Sequence, residues 1–505
     1  MRSIQAMDTL SIDRLEVRYR MPLSRAQEAD RLDRALRRVL DEALESALER
    51  AGFSPTEEVC IREVEVPVRL RLSAGDDDLI LAWSDALARG LRQAVAAGET
   101  SRVVRYTSRA HALLDLAAGA AAGDLRRAWA WRQLGIGPAS AGSTVQEVRT
   151  PREAAEAYAT ALAAEPETIV PILRAVAEAG HLEHLVAVLP PEIWVELARE
   201  ALRVAGAPAE ALGEESWGGW EEKEEVQDAA SSDRKIVRRA VAASPIGRIS
   251  ASSASGSLPA LAVLAVLDAD PGFASRPAAA WREALAAVAQ SRETAVETPR
   301  PPAAREEIAE TAAVPNPVAA PEMVAADRPL LDVRREGFTQ FGGLLFLVGL
   351  VEELGGGAHL PVEGGAMGEG SGVRSLRWHL HQLGLALIPA LPDDPAILAF
   401  AGLPPESQPP SEGEDPPSPE EQAALAIWVG KIAAALAVRL HREETPAAEL
   451  LAAVCRRRAR IVADPGWIEI HLSLDEVAVD VRRAGLDLDP GWVPWLGVVL
   501  RFRYD

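Results

Sequence analysis

Proline decides which architectures are open to this chain, because 36 of its 505 residues are proline. Each removes a backbone donor, and its ring clashes with the preceding turn, so helix interiors exclude it. The chain must therefore be assembled from short elements joined at these breaks. Two stretches, ETPRPPAAREEIAETAAVPNPVAAPEM and PPESQPPSEGEDPPSPEE, are dense enough in proline and small residues to predict linkers.

Between the breaks the apolar content is 48%, carried mostly by alanine and leucine, while aromatics make up only 5%. That balance favours helix over strand. The expected fold is mainly α with small β elements: a β-α-β-α unit over 1–100 and a helical domain over 101–212. A largely disordered linker with a short helical island is expected over 213–330, then a helical segment over 331–402 and a Pro-rich linker over 403–420. A helical pair over 421–463 and a C-terminal β segment of short antiparallel strands over 464–505 complete the chain.

Local patterns carry these boundaries. Leu15, Val17 and Tyr19 alternate with charged residues, as do Val64, Val66, Val68, Leu70 and Leu72, the period of half-buried strands. Pro67 places the second of these at a sheet edge. Leu32, Leu36, Val39, Leu40, Leu44 and Leu48 form one helical stripe, which Gly52 would end. Helices are expected over 79–97, 338–354, 376–387, 421–441 and 446–461, the last with Thr445 as N-cap and arginines at its C-terminal end. Within the 213–330 linker, 259–267 and 278–289 form the helical island. The tetrapeptide DPGW occurs twice, at 464–467 and 489–492. Asp-Pro-Gly is turn chemistry: proline presets φ, glycine supplies φ > 0, and aspartate bonds the backbone ahead.

The charge balance excludes several function classes. With 75 acids against 53 bases the net charge is −22, which disfavours a nucleic-acid surface built on clustered Lys and Arg. It equally disfavours an anionic membrane surface. The longest apolar run, Phe341 to Val351, is far shorter than the ~20 residues of a membrane span. The N-terminus lacks the apolar core of a signal peptide, so a cytoplasmic location without membrane insertion is expected. Two cysteines, Cys60 and Cys455, exclude a disulfide framework and a Cys-rich zinc site.

No catalytic, cofactor or metal site emerges. GGAMGEGSGVR at 364–374 lacks the Gly-Lys-Ser/Thr of a phosphate loop. His181 and His184 have no third ligand, and His379 and His381 fall on different faces of their helix. Cys455 precedes an arginine cluster but sits at an apolar helical position, as a buried structural cysteine does. Asp475 with Glu476, and Asp487 with Asp489, fit turn and strand-edge solvation. The tryptophans stand out instead. Trp129, Trp131, Trp467, Trp492 and Trp495 are the candidates for partner contact or packing.

Two regions resemble a known family. The opening, IDRLEVRYRMPLSRAQEADRLDRALRRVLDEALESAL followed by VCIREVEVPVRLRL, resembles the start of contractile injection system tape measure proteins. RAHALLDLAAGAAAGDLRRAWAWRQLGI and GLDLDPGWVPWLGVVLRFRYD are similar to proteins encoded with extracellular contractile injection systems, the phage-tail-like particles. The resemblance covers about a third of the chain and implies protein partners within a particle, with no catalytic residues. A measuring ruler would be a long helix rising ~1.5 Å per residue, which the prolines forbid, so the resemblance implies an assembly or accessory component. A generic helical scaffold or adaptor, and an enzyme whose site has no local signature, are the other two readings.

Overall fold

The apolar alternation near the N-terminus forms no ladder, and Leu15 and Val17 stay exposed while Tyr19 packs on the helices. The computed structural model describes residues 12, 14–50, 57–97, 102–138, 145–207, 242, 244–248, 257–276, 281, 328–360, 374–410 and 416–505. These are about 58% helical and 10% strand, a mainly α protein with small β elements. They divide into two units: Met1–Ala112 with Leu125–Val148 and Ala326–Pro329, and Leu113–Asp124 with Arg149–Ala325 and Leu330–Asp505.

In the first unit, α1 (Ala29–Arg38) runs through a π-helical turn into α2 (Leu44–Arg50). Its stripe Leu32, Ala35, Val39 and Leu44 packs on Ile80 and Trp83 of α3 (Asp76–Ala97), whose first turn carries three aspartates that favour the helix dipole. Tyr19, Val68, Leu70 and Leu72 lie against this core. The strands expected at Leu15–Tyr19 and Val64–Leu72 are not formed. Tyr19, Val68, Leu70 and Leu72 pack on the helices without a ladder partner, Leu15, Val17 and Val64 stay exposed, and Pro67 has no amide to donate to a ladder. The ladder that does form joins β1 (Glu58–Ile61) to β2 (Val103–Tyr106), antiparallel, with Cys60 opposite Val104. Helix α4 (Arg109–Ala122) follows and from Leu113 onward is counted with the second unit, while α5 (Ala128–Gln133) belongs to the first. Gly52 lies outside the described residues.

After the Leu113–Asp124 segment, the second unit continues with α6 (Pro151–Ala164), capped by the Thr150 hydroxyl, which accepts from the Glu153 amide at 3.1 Å. Then come α7 (Ile169–Glu178), α8 (Leu182–Val188) and α9 (Pro191–Val204). Helix α10 (Leu258–Ala269) is apolar on all sides and buried from Ala260 to Asp268, at the place of the expected helical island. Apart from Trp281, residues 278–289 are outside the described residues, as is most of the expected 213–330 linker.

A five-stranded sheet orders the rest: β3 (Arg335–Thr339), β4 (Ala459–Asp464), β5 (Trp467–Leu472), β6 (Gly491–Val493) and β7 (Val498–Tyr504), in the order β3-β4-β5-β7-β6. All neighbours are antiparallel except β5 and β7, which run parallel, Ile470 beside Phe502. The C-terminal segment is therefore part of a mixed sheet, not a small antiparallel piece. The parallel pair requires the crossover that α16 (Val479–Arg483) supplies.

Helices carry the intervening chain: α11 (Val348–Glu353), α12 (Leu376–Leu387), α13 (Pro395–Phe400), α14 (Pro419–Leu440) and α15 (Ala447–Cys455). Their apolar faces and the sheet's inner face, including Ile468, Ile470, Leu472 and Leu500, share one core. Two expectations are corrected here. Phe338 is in β3, and the helical run after it starts only at Gly342 as a 3-10 turn. The 446–461 helix stops at Cys455, Pro446 rather than Thr445 is its N-cap, and Ala459 onward is strand. Of its arginines, Arg457 is buried and donates to the Ala453 carbonyl in the last helical turn at 3.4 Å and to the Glu476 carbonyl at 2.9 Å, while Arg460 pairs across the sheet with Glu336.

Helix α14 is, among the described residues, the one helix long and apolar enough to cross a membrane by length and composition. It packs against α12 and α15 through Leu425, Trp428, Ile432 and Leu436. Residues 411–415 of the expected 403–420 linker are outside the described residues, while Leu403 is buried and Pro405 packs on Gly337.

Candidate functional site

The two DPGW turns have separate tasks in the fold. In the first, Pro465 and Gly466, the latter at φ +79°, turn β4 into β5 so that Asp464 faces Trp467. Asp464 accepts from Arg334 Nη2 at 2.6 Å and Nε at 3.2 Å, a forked pair that ties the approach to β3 onto the hairpin turn. Burial works against the Arg334 cation, but the Asp464 carboxylate outweighs it and holds the guanidinium above its ordinary value. Trp467 lies under the Arg501 guanidinium, 4.5 Å from ring centroid to carbon.

In the second turn, Asp489 Oδ1 accepts from the Phe502 amide at 2.7 Å, beyond the end of the three-residue β6. The side chain thus occupies a ladder position that the short edge strand does not reach. Trp492 Nε1 donates to the Val204 carbonyl at 3.1 Å. That carbonyl belongs to the last turn of α9, where main-chain acceptors have no intrahelical partner.

These turns form one wall of a cleft of about 410 Å³ within the second unit. The start of α7, the end of α10, the β3 approach and the 404–407 loop also line it. Seven prolines line it, among them Pro166, Pro171, Pro271 and Pro494, and Trp492 supplies the aromatic surface. Where the walls meet, turn glycines abut helix prolines. A Cβ on Gly466 would stand 3.1 Å from Pro171, and one on Gly497 3.0 Å from Pro271.

The cleft's charges are mostly paired. Arg174 reaches Glu178 at 2.9 Å and the buried Asp268 at 3.6 Å, and Asp268 also accepts from the Ser244 hydroxyl at 2.7 Å. Arg335 lies between Asp332 at 3.8 Å and Glu406 at 4.0 Å.

A second polar cluster lies elsewhere on the sheet. His471 Nδ1 is 2.6 Å from Asp505 and its Nε2 is 3.4 Å from Glu469, which Arg503 also approaches at 3.4 Å. The Glu469 contact and then the Asp505 contact raise the His471 imidazole against the opposing effect of burial. The His471 hydrogen bond takes the Glu469 carboxyl down to about 2. Each ring nitrogen faces a different carboxylate, so the three side chains do not converge on one point. No group of three or more His, Cys, Asp or Glu suited to a metal occurs among the described residues.

The remaining candidates are placed as follows. Trp129 and Trp131 are buried in α5. Trp495 is half-buried against the sheet core and so close to Gly357 that a Cβ there would lie 2.7 Å from the ring. Asp487 departs from the expectation of strand-edge solvation. It is buried, accepting from the Tyr504 hydroxyl at 2.9 Å and from Arg482 at 3.2 Å. His181 precedes α8 as its N-cap while His184 is inside it. His381 is buried beside the Pro392 carbonyl, 2.8 Å away, and burial lowers its pKa. Burial pushes the Cys455 thiol up to about 12. Of the glycine-rich segment 364–374 only Arg374 is among the described residues, 4.2 Å over Trp378 and 3.2 Å from Glu421.

Sequence reasoning missed Arg334, Arg174 and Asp268. Their partners are far apart in the chain, and nothing near them in sequence marks them. The recurrence of proline was the one available clue to the cleft. No protein family, no curated protein and no solved structure matches this chain.

Proposed function

We propose that this chain is a non-catalytic structural or assembly component of a contractile, phage-tail-like injection system, working in the cytoplasm beside the particle it helps to build. The resemblance of the N-terminal segment to tape measure proteins, and of the C-terminal segment to proteins encoded with such systems, motivates the reading. The observation that carries it is the use made of the two DPGW turns. Asp464, Asp489 and Trp492 are all bonded to the fold itself, and Asp464 and Trp492 line a cleft of mixed apolar and charged character. Such a surface suits holding another protein.

The test is affinity purification of the tagged chain from cells that produce the particle. Recovery together with sheath, tube or baseplate subunits is expected. Recovery of a free soluble monomer from particle-producing cells would overturn the assignment.

A further inference from the structure

We propose that the proline-walled cleft binds an extended, basic, proline-containing peptide segment of a partner protein. This goes beyond the particle reading and does not depend on it.

Shape comes first. Pro166, Pro171 and Pro271 line the cleft together with Pro404, Pro405 and Pro465. Pyrrolidine rings present flat apolar faces and no backbone donor. Trp492 adds an indole whose N–H is already engaged by Val204, so the ring is held in place and offers its face. A groove of apolar ring faces with one fixed tryptophan suits a polyproline II strand, whose ordering costs little because proline restricts it beforehand.

The walls are also fixed before any ligand arrives. Arg174–Asp268 ties α7 to α10, and Arg334–Asp464 ties the β3 approach to the hairpin turn. Preformed sites lose less on binding.

Charge selects the sign of the ligand. Six carboxylates and three guanidiniums line the cleft. Arg174 and Arg335 are each flanked by two carboxylates, so the surplus is negative. Asp332 and Glu406 stand at the rim, 91% and 69% exposed, where they can meet an arginine or lysine of the incoming strand. An acidic or phosphorylated segment would meet like charge.

The experiment uses the full chain and a fluorescent heptapeptide, Arg-Pro-Pro-Arg-Pro-Pro-Arg, followed by anisotropy. Saturable binding is expected, weakening as salt rises, with no binding of the Glu-Pro-Pro-Glu-Pro-Pro-Glu counterpart. The double variant Asp332→Lys, Glu406→Lys changes only exposed side chains and should weaken binding about tenfold or more. Its circular dichroism checks that it folds. No binding by the folded chain, equal binding of the acidic peptide, or unchanged affinity in the double variant would each overturn the proposal. So would full competition by free arginine amide at equal arginine concentration, which would reduce the site to a reader of charge. Failure here leaves the co-purification result untouched, so the two ideas fall separately.

Discussion

Trp492 closes the end of a helix that lies nearly three hundred residues before it: its indole N–H donates to the Val204 carbonyl at 3.1 Å. The bond gives a main-chain acceptor of α9 a partner and fixes the ring that lines the cleft. Replacing Trp492 by Phe keeps an aromatic ring and removes the donor. A loss of ~1–2 kcal/mol is expected, the cost of leaving a part-buried acceptor unpaired. Urea denaturation followed by circular dichroism measures it, and an unchanged midpoint would mean that water replaces the indole.

Asp464→Ala leaves the largely buried Arg334 cation without its carboxylate. A fully buried pair broken on one side costs about 3–5 kcal/mol and an exposed one at most about 1. Arg334 retains 23% exposure and Asp464 9%, so ~2–3 kcal/mol is expected. The double variant Arg334→Met, Asp464→Leu should recover most of that loss, and a double-mutant cycle by denaturant titration checks it.

The His471 cluster makes stability depend on pH from both sides. His471 is raised above its ordinary 6.5 by Glu469 and Asp505, with Arg460 opposing. Its contribution is therefore complete below pH 6.5 and is lost as pH rises through the raised value. Glu469 is lowered from 4.5 to about 2, chiefly by the His471 hydrogen bond and further by Arg503, so its contribution is complete above pH 4.5 and lost as pH falls toward 2. The two contributions coincide between pH 4.5 and 6.5. His471→Gln should flatten the fall in urea midpoint above pH 6.5, and a slope identical to that of the parent chain would exclude the cluster as its source.

Both cysteines should be silent in the native protein. Cys60 and Cys455 are buried, and burial pushes each thiol up to about 12. A chromogenic disulfide reagent at pH 8 should label neither until denaturant is added, when two thiols react. Rapid native labelling of one would place it at the surface.

Gly466 should not tolerate alanine. Its φ of +79° is costly for any residue with a Cβ, and that atom would press on Pro171 at 3.1 Å. A loss of ~1–2 kcal/mol in thermal or urea unfolding is expected.

Helices were the legible part of this chain. Residues 376–387 were bounded correctly because the apolar spacing and the Ser375 cap agree. Helix α14 begins two residues before the expected Glu421, because Ser418 and Glu421 form a capping box. Strand β3 was missed because REGFT runs straight into the apolar GGLLFLVGL, whose spacing suits helix. Strand β4 was hidden behind Cys455, where four nearby arginines imitate a helix C-terminus. The turn chemistry of both DPGW segments was visible, and the parallel pairing of β5 with β7 was not, because register is set by distant partners. The cleft is illegible for the same reason. Its residues come from widely separated stretches, each of which looks like an ordinary turn or helix end.

The pairing of β3 with β4 has a kinetic consequence. Thr339 meets Ala459 about 120 positions later, and helices α11 to α15 lie inside that loop. Closing a loop this long carries an entropic cost before any ladder bond compensates for it, and such distant contacts slow folding. The β4–β5 hairpin, joined by two residues, can form early. Strand β3 can add to it only once the helices between have gathered their ends. The helical insert thus works as a clasp whose packing sets how fast the sheet is completed.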